Sequence, residues 1–202
     1  MKATPRKFGF DLDNTLIDYS KSVEEYCNVN SLEECKTIND LRGLLRTTDA
    51  SGRLWQEAQG WLYTDGLNFA QPGFGAVGLC EYLKTNEYEL QIVSHKTTHT
   101  PDFCGGKPLR EVASKWVAGS DLAAFFPDNS MIHYESTRKL KIARIQALDL
   151  NYFVDDLKEV FQEPGYPKEV VSFLLQDAWY EMPWVQSISS LAVIEGIIEN
   201  DE

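Results

Sequence analysis

Two short apolar runs in this chain each end in paired carboxylates, and that arrangement narrows the folds open to it. Phe8-Gly9-Phe10 leads into Asp11-Leu12-Asp13, followed by Asn14-Thr15-Leu16. Tyr152-Phe153-Val154 leads into Asp155-Asp156. A short run of consecutive apolar residues reads as a buried strand. Charge at the carboxyl end of such a strand falls where open α/β sheets hold their ligands. Two acid pairs delivered this way form a candidate Mg²⁺ site, because Mg²⁺ takes oxygen ligands and pairs with substrate phosphates.

The chain has 202 residues, enough for one sizeable core and a small extra lobe. Its formal net charge of −12 and lack of a long basic run argue against binding a nucleic-acid backbone or an anionic membrane. A small phosphorylated substrate remains compatible with that charge, since one Mg²⁺ and a lysine reverse the local sign. No apolar run approaches about 18 residues, so no membrane span is expected. The opening MKATPRKFGF lacks the apolar stretch of a signal peptide, and a cytoplasmic location is expected. Cys27, Cys35, Cys80 and Cys104 form no CxxC pair and read as free thiols.

Along the chain, strands alternate with helices. Strands are expected at 7–11, 89–94, 130–134, 151–155 and 170–175. Helices are expected at 75–84, 108–119, 137–149 and 187–199. Residues 19–60 read as helical: Ser22 with Glu25 and Ser31 with Glu34 have capping-box spacing, and Ile38, Leu41, Leu44 and Leu45 mark one face. The 137–149 helix is assigned a stripe of Leu140, Ile142, Ile145 and Leu148. The alternation predicts an α/β fold with a mostly parallel, Rossmann-like sheet covered on both faces.

The segment FDLDNTL resembles the first motif, DxDxT, of the haloacid dehalogenase-like (HAD) superfamily. Three more elements follow in that family's order: Ile92-Val93-Ser94, Lys141 near a helix start, and Val154-Asp155-Asp156. The resemblance implies a HAD-like core with a small C1-type helical cap inserted after the first strand. The 83 positions from Asp11 to Ser94 leave room for such an insertion. The expected division is residues 1–18 and 72–202 for the core and 19–71 for the cap.

The resemblance also implies chemistry. Asp11 would be the nucleophile that forms an aspartyl-phosphate. Asp13 would protonate the leaving oxygen and then activate water. Thr15 would brace the turn. Ser94 and the backbone N–H groups of Leu12 and His95 would donate to the phosphate, and Lys141 would neutralise charge on it. Mg²⁺ would be held by Asp11, Asp13 (through its carbonyl) and Asp155, with Asp156 orienting a water or a further ligand. The implied activity is that of a Mg²⁺-dependent phosphatase acting on a small phosphorylated metabolite.

Each residue also has a plainer reading. Asp11 and Asp13 suit a turn after a strand. Asp155-Asp156 suits a helix N-cap. Serine commonly ends strands, and Lys139 competes with Lys141, which is preferred because IARIQAL runs unbroken from it into the Asp155 strand. His95, His99 and His133 lack a metal-ligand spacing. Lys96 is expected at the surface rather than against an anionic substrate. Trp55, Trp61 and Tyr63 are expected to pack within the insert. Dehalogenation is disfavoured because a departing halide needs no acid, whereas Asp13 is present. A phosphomutase, a catalytically silent HAD-like binding protein and a nucleic-acid end phosphatase rank lower.

Overall fold

The computed structural model describes residues 5–176 and 182–201. Its first strand, β1 (Lys7–Phe10), lies at the middle of a six-stranded sheet and is buried along Phe8, Gly9 and Phe10. Glycine is required at the centre of β1. A Cβ on Gly9 would come within 2.4 Å of Leu150 Cδ1 and 2.8 Å of Phe153 Cδ2.

After β1 the chain turns back on itself around one carbonyl. The Leu12 C=O accepts from the N–H groups of Thr15, Leu16 and Ile17 at 3.4, 3.0 and 2.9 Å. Asn14 sits in the left-handed region at φ 59°, which asparagine tolerates better than most side chains. The chain then enters β2 (Ile17–Asp18), which pairs antiparallel with β3 (Gln71–Pro72). This two-stranded ribbon is the stem of the helical insert.

The insert contains α1 (Ser20–Val29), α2 (Ile38–Thr48) and α3 (Arg53–Leu62). Their inward residues are Val23 and Cys27, Leu41 and Leu45, and Trp55, Ala58 and Leu62. The start signals differ from expectation. Ser22 lies inside α1, buried, and donates to the Gly66 carbonyl at 2.8 Å. Ser31 follows α1 with φ 53° and caps nothing. The capping box belongs to Thr37 and Asp40 at the start of α2, whose side chains each accept a hydrogen bond from the other's backbone N–H.

The core continues with α4 (Ala76–Thr85), β4 (Glu89–His95), α5 (Leu109–Gly119), β5 (Ile132–Glu135), α6 (Arg138–Leu148) and β6 (Tyr152–Asp155). It ends with α7 (Lys158–Phe161), β7 (Val171–Leu175), β8 (Val185–Ile188) and α8 (Ile194–Asp201). The strand order is β5-β4-β1-β6-β7-β8, and every pair is parallel. The result is a Rossmann-like sheet with a helical cap, as the alternation and the resemblance imply. The order reverses around β1, so ligands are favoured beyond the carboxyl ends of β1, β4 and β6.

Two helix assignments need correction. On α6 the buried residues are Lys141, Ile142 and Ile145, while Leu140 is exposed. The stripe is therefore interrupted by a charged residue held inside, which a purely apolar periodicity does not register. Residues 187 and 188, expected to open the last helix, belong to the edge strand β8 (Val185–Ile188), and the helix begins at Ile194. A four-residue run buried at its two ends, Val185 and Ile188, is too short to tell one period from the other. Among the described residues, no helix is long and apolar enough to cross a membrane.

Candidate active site

The carboxyl ends of β1 and β6 bring Asp11 and Asp155 together, because the two strands are hydrogen-bonded neighbours. Phe10 pairs with Val154, and the Asp11 N–H donates to the Val154 carbonyl at 2.9 Å. Both carboxylates are buried, at 5% and 0% exposure. Between them lies the Lys141 ammonium, 2.5 Å from Asp11 Oδ1 and 2.6 Å from Asp155 Oδ2. Lys141 reaches this point from the first turn of α6, whose N-cap Thr137 accepts from the Leu140 N–H. Lys139 is exposed.

Asp156 follows, half-buried on the same wall. One oxygen from each of Asp11, Asp155 and Asp156 lies within 4.8 Å of the others. Two of these three carboxylates share the Lys141 ammonium. Burial pushes the Asp11 carboxyl up to about 7, although Lys141 pulls it down. Burial, followed by the charges of Asp155 and Asp11, raises Asp156 well above the usual carboxylate range. Burial alone would depress Lys141, but Asp11 and Asp155 hold it above its ordinary value.

This donor set fits Mg²⁺. All three ligands are hard oxygens, and octahedral ligands around Mg²⁺ are themselves only about 3–4 Å apart. A divalent ion would also offset the two carboxylate charges that Lys141 leaves unbalanced.

Asp13 is held separately. Its Oδ1 accepts from the Tyr19 hydroxyl at 2.6 Å, and its Oδ2 lies 2.7 Å from Lys96 Nζ. Lys96 is 3% exposed, contrary to its expected surface position. Its ammonium faces the Tyr63 ring at 4.5 Å from the centroid. Tyr63 in turn meets the Tyr19 ring at 5.3 Å. Of the three aromatics assigned to packing in the insert, Trp55 is buried there and Trp61 stacks near Phe69, but Tyr63 reaches the site.

Ser94, at the end of β4, is 1% exposed, and its hydroxyl has no hydrogen-bond partner among the described residues. The Thr15 hydroxyl is likewise unpaired, so the turn is braced by the Leu12 carbonyl and not by that side chain. His95 is exposed, with Nε2 3.2 Å from the Ser136 carbonyl. His133 is 3.0 Å from Gln91 Oε1, away from the carboxylates. Asp155 Oδ1 accepts from the Leu157 N–H at 2.9 Å, and Leu157 caps α7.

These groups open into a cavity of about 400 Å³. Asp11, Asp13, Lys96, Lys141 and Asp156 line its floor, and Gln56, Gln59, Gly60 and Tyr63 of the insert form its roof. A carboxylate bonded to one ammonium and a second carboxylate beside another therefore face one cavity. That is the equipment of acyl-phosphate chemistry, in which a carboxylate attacks and a neighbouring acid moves the proton.

No family model matches the chain. A Bacillus cereus protein described as "Putative nucleotidase" is 25% identical over 165 residues, which span 77% of this chain and 79% of that one. A Clostridium acetobutylicum structure described as a predicted phosphatase superposes with a TM-score of 0.59 at 15% identity, covering 98% of this chain and 100% of that one. A HAD-superfamily hydrolase from Ehrlichia chaffeensis gives 0.55 at 16% identity, covering 98% of each chain. The chain has the HAD-like fold. Dehalogenases share it as well, so the fold alone does not choose between carbon–halogen and phosphate chemistry.

Proposed function

We propose that this HAD-like chain is a Mg²⁺-dependent phosphatase that hydrolyses a small phosphorylated metabolite through phospho-Asp11. The observation that carries this reading is the cluster of Asp11, Asp155 and Asp156, the first two bonded to Lys141, with Asp13 facing the cavity that Asp11 and Asp156 line. Asp11 Oδ attacks phosphorus, and the bond to the leaving oxygen breaks. As that bond breaks, the leaving oxygen takes a proton from Asp13. In the second half, Asp13 takes a proton from water as the water oxygen attacks phosphorus and frees Asp11.

Ser94 supplies a buried hydroxyl for a phosphoryl oxygen, with the Leu12 and His95 N–H groups and Thr15 assigned to the same task. Lys141 pulls the Asp11 carboxyl toward its ionised form and offsets charge as the phosphoryl group arrives. Mg²⁺, held by Asp11, the Asp13 carbonyl and Asp155, with Asp156 orienting a water or a further ligand, would supply charge stabilisation to the phosphoryl oxygens.

Asp13 favours phosphate over halide, as a halide leaves without a proton. The roof favours a phosphatase over a mutase, since a mutase must hold a second phosphate there. The roof residues Gln56, Gln59, Gly60 and Tyr63 carry no cation.

The test is a screen of phosphorylated metabolites with Mg²⁺, in which the name of the Bacillus cereus relative places nucleoside monophosphates among the first compounds. Asp11→Asn is expected to lose turnover by at least about 10⁴-fold while keeping a wild-type circular dichroism spectrum, as expected when an attacking group is removed. Normal phosphate release by that variant would sink the proposal.

A further inference from the structure

We propose that Lys96 is a further catalytic residue, whose ammonium donates a hydrogen bond to the leaving-group oxygen as Asp13 hands that oxygen its proton. The inference rests on the phosphatase reading. In the step concerned, the Asp11 oxygen–phosphorus bond forms and the phosphorus–leaving oxygen bond breaks. The electron pair stays on the leaving oxygen, which receives the Asp13 proton, while Lys96 keeps all of its own protons.

Three observations place Lys96 in that role. Its backbone is fixed from both sides, with its N–H donating to the Glu135 carbonyl at 2.9 Å and its own carbonyl accepting from Arg110 Nε at 3.0 Å. Its side chain is 2% exposed, yet Nζ makes no aligned hydrogen bond with any described residue. The contact with Asp13 is an ion pair, and no second acceptor engages Nζ among the described residues, so the buried ammonium keeps N–H groups to spare beside the cavity. Leaving such donors unsatisfied is costly unless a ligand takes them.

Asp13 decides which ligand atom that is. Tyr19 donates to Oδ1 and Lys96 Nζ lies 2.7 Å from Oδ2, so the lysine stands beside the oxygen that does not bond the tyrosine. A leaving oxygen within reach of Oδ2, at about 2.6–3.2 Å, is brought into range of Nζ as well. The face of Tyr63 over Nζ keeps the ammonium dry, which strengthens its pull on developing charge.

The experiment compares wild type, Lys96→Met and Lys96→Arg, with Mg²⁺, on p-nitrophenyl phosphate, phenyl phosphate and an alkyl phosphate. Lys96→Met is expected to lower kcat/KM about 100-fold on the alkyl ester and less than about 5-fold on p-nitrophenyl phosphate, whose phenol leaves with little help. Lys96→Arg is expected to recover part of the loss on the alkyl ester. An equal loss on all three esters, or none, overturns the proposal.

If Lys96 acts only by placing Asp13, adding Lys96→Met to Asp13→Asn costs nothing more on phenyl phosphate. A further loss of about tenfold is expected instead. Should Lys96→Met fail to fold by circular dichroism, Lys96→Gln replaces it, with the same rising dependence expected. Wild type that turns over no phosphate ester overturns the phosphatase reading and this inference together. Wild-type turnover with a flat leaving-group response in the variants overturns this inference alone.

Discussion

Lys141 Nζ lies 2.5 Å from Asp11 Oδ1, joining the first turn of α6 to the end of β1 across 130 positions of sequence. Both groups are buried, and the same ammonium also serves Asp155. Removing it leaves two buried carboxylates without that counter-charge.

Lys141→Met is therefore expected to destabilise the metal-free protein by about 3–5 kcal/mol, as breaking a buried ion pair does. Combining it with Asp11→Asn should return part of that loss, because one of the stranded charges is then gone. Urea unfolding in EDTA checks both statements. A Lys141→Met variant as stable as wild type would show that the charges are relieved in another way.

Burial raises Asp11 to about 7 against an unfolded value near 3.8. The folded state thus binds the extra proton over that interval. The contribution of Asp11 to stability is present below about pH 4 and is lost as pH rises through 7. Asp156, raised for the same reasons, adds to the trend. In EDTA, the loss of stability from pH 5 to 8 should be smaller in Asp11→Asn than in wild type. Saturating Mg²⁺ should reverse the wild-type loss, by about 2.7 kcal/mol at a hundred times the dissociation constant. Thermal melts across pH with and without the ion provide the measurement, and an Mg²⁺ shift undiminished in Asp156→Ala would remove Asp156 from the metal set.

Gly73 joins the cap stem to the Asp13 turn. Its N–H donates to the Leu16 carbonyl at 2.9 Å, and a Cβ there would meet the Thr15 oxygen at 2.4 Å. Gly73→Ala must push that backbone aside, and with it the turn that carries Asp13. A stability cost of about 1–3 kcal/mol is expected. Activity should fall by about 100-fold, because reacting groups tolerate little displacement. Calorimetry beside steady-state kinetics separates the two effects, and unchanged kinetics would mean that the turn does not aim Asp13.

Much of the frame is legible in the residues because it depends on local pattern. Apolar runs mark β1, β4 and β6, and the acids and Ser94 at their ends follow from strand length alone. Boundaries that depend on side-chain competition are harder to read. Ser31 and Glu34 have the same spacing as Thr37 and Asp40, yet only the latter pair meets a helix start. Leu140 and Leu148 continue an apolar period on α6, but the helix turns Lys141 inward because two carboxylates attract it.

By itself the sequence determined where the carboxylates and Ser94 stand along their strands, since a run of apolar residues can only end once and the next polar residue occupies the end. Only the tertiary structure decided that Lys96 is buried against Asp13, with Tyr19 on the other oxygen and Tyr63 above. Those four residues come from the β1 turn, the stem of the cap, the end of α3 and the loop after β4. No periodicity links them, and a lysine beside a strand end looks the same in sequence whether solvent or an aspartate awaits it. The choice between the two is made by the insert, whose Tyr19 and Tyr63 pack beside the lysine and help to bury it.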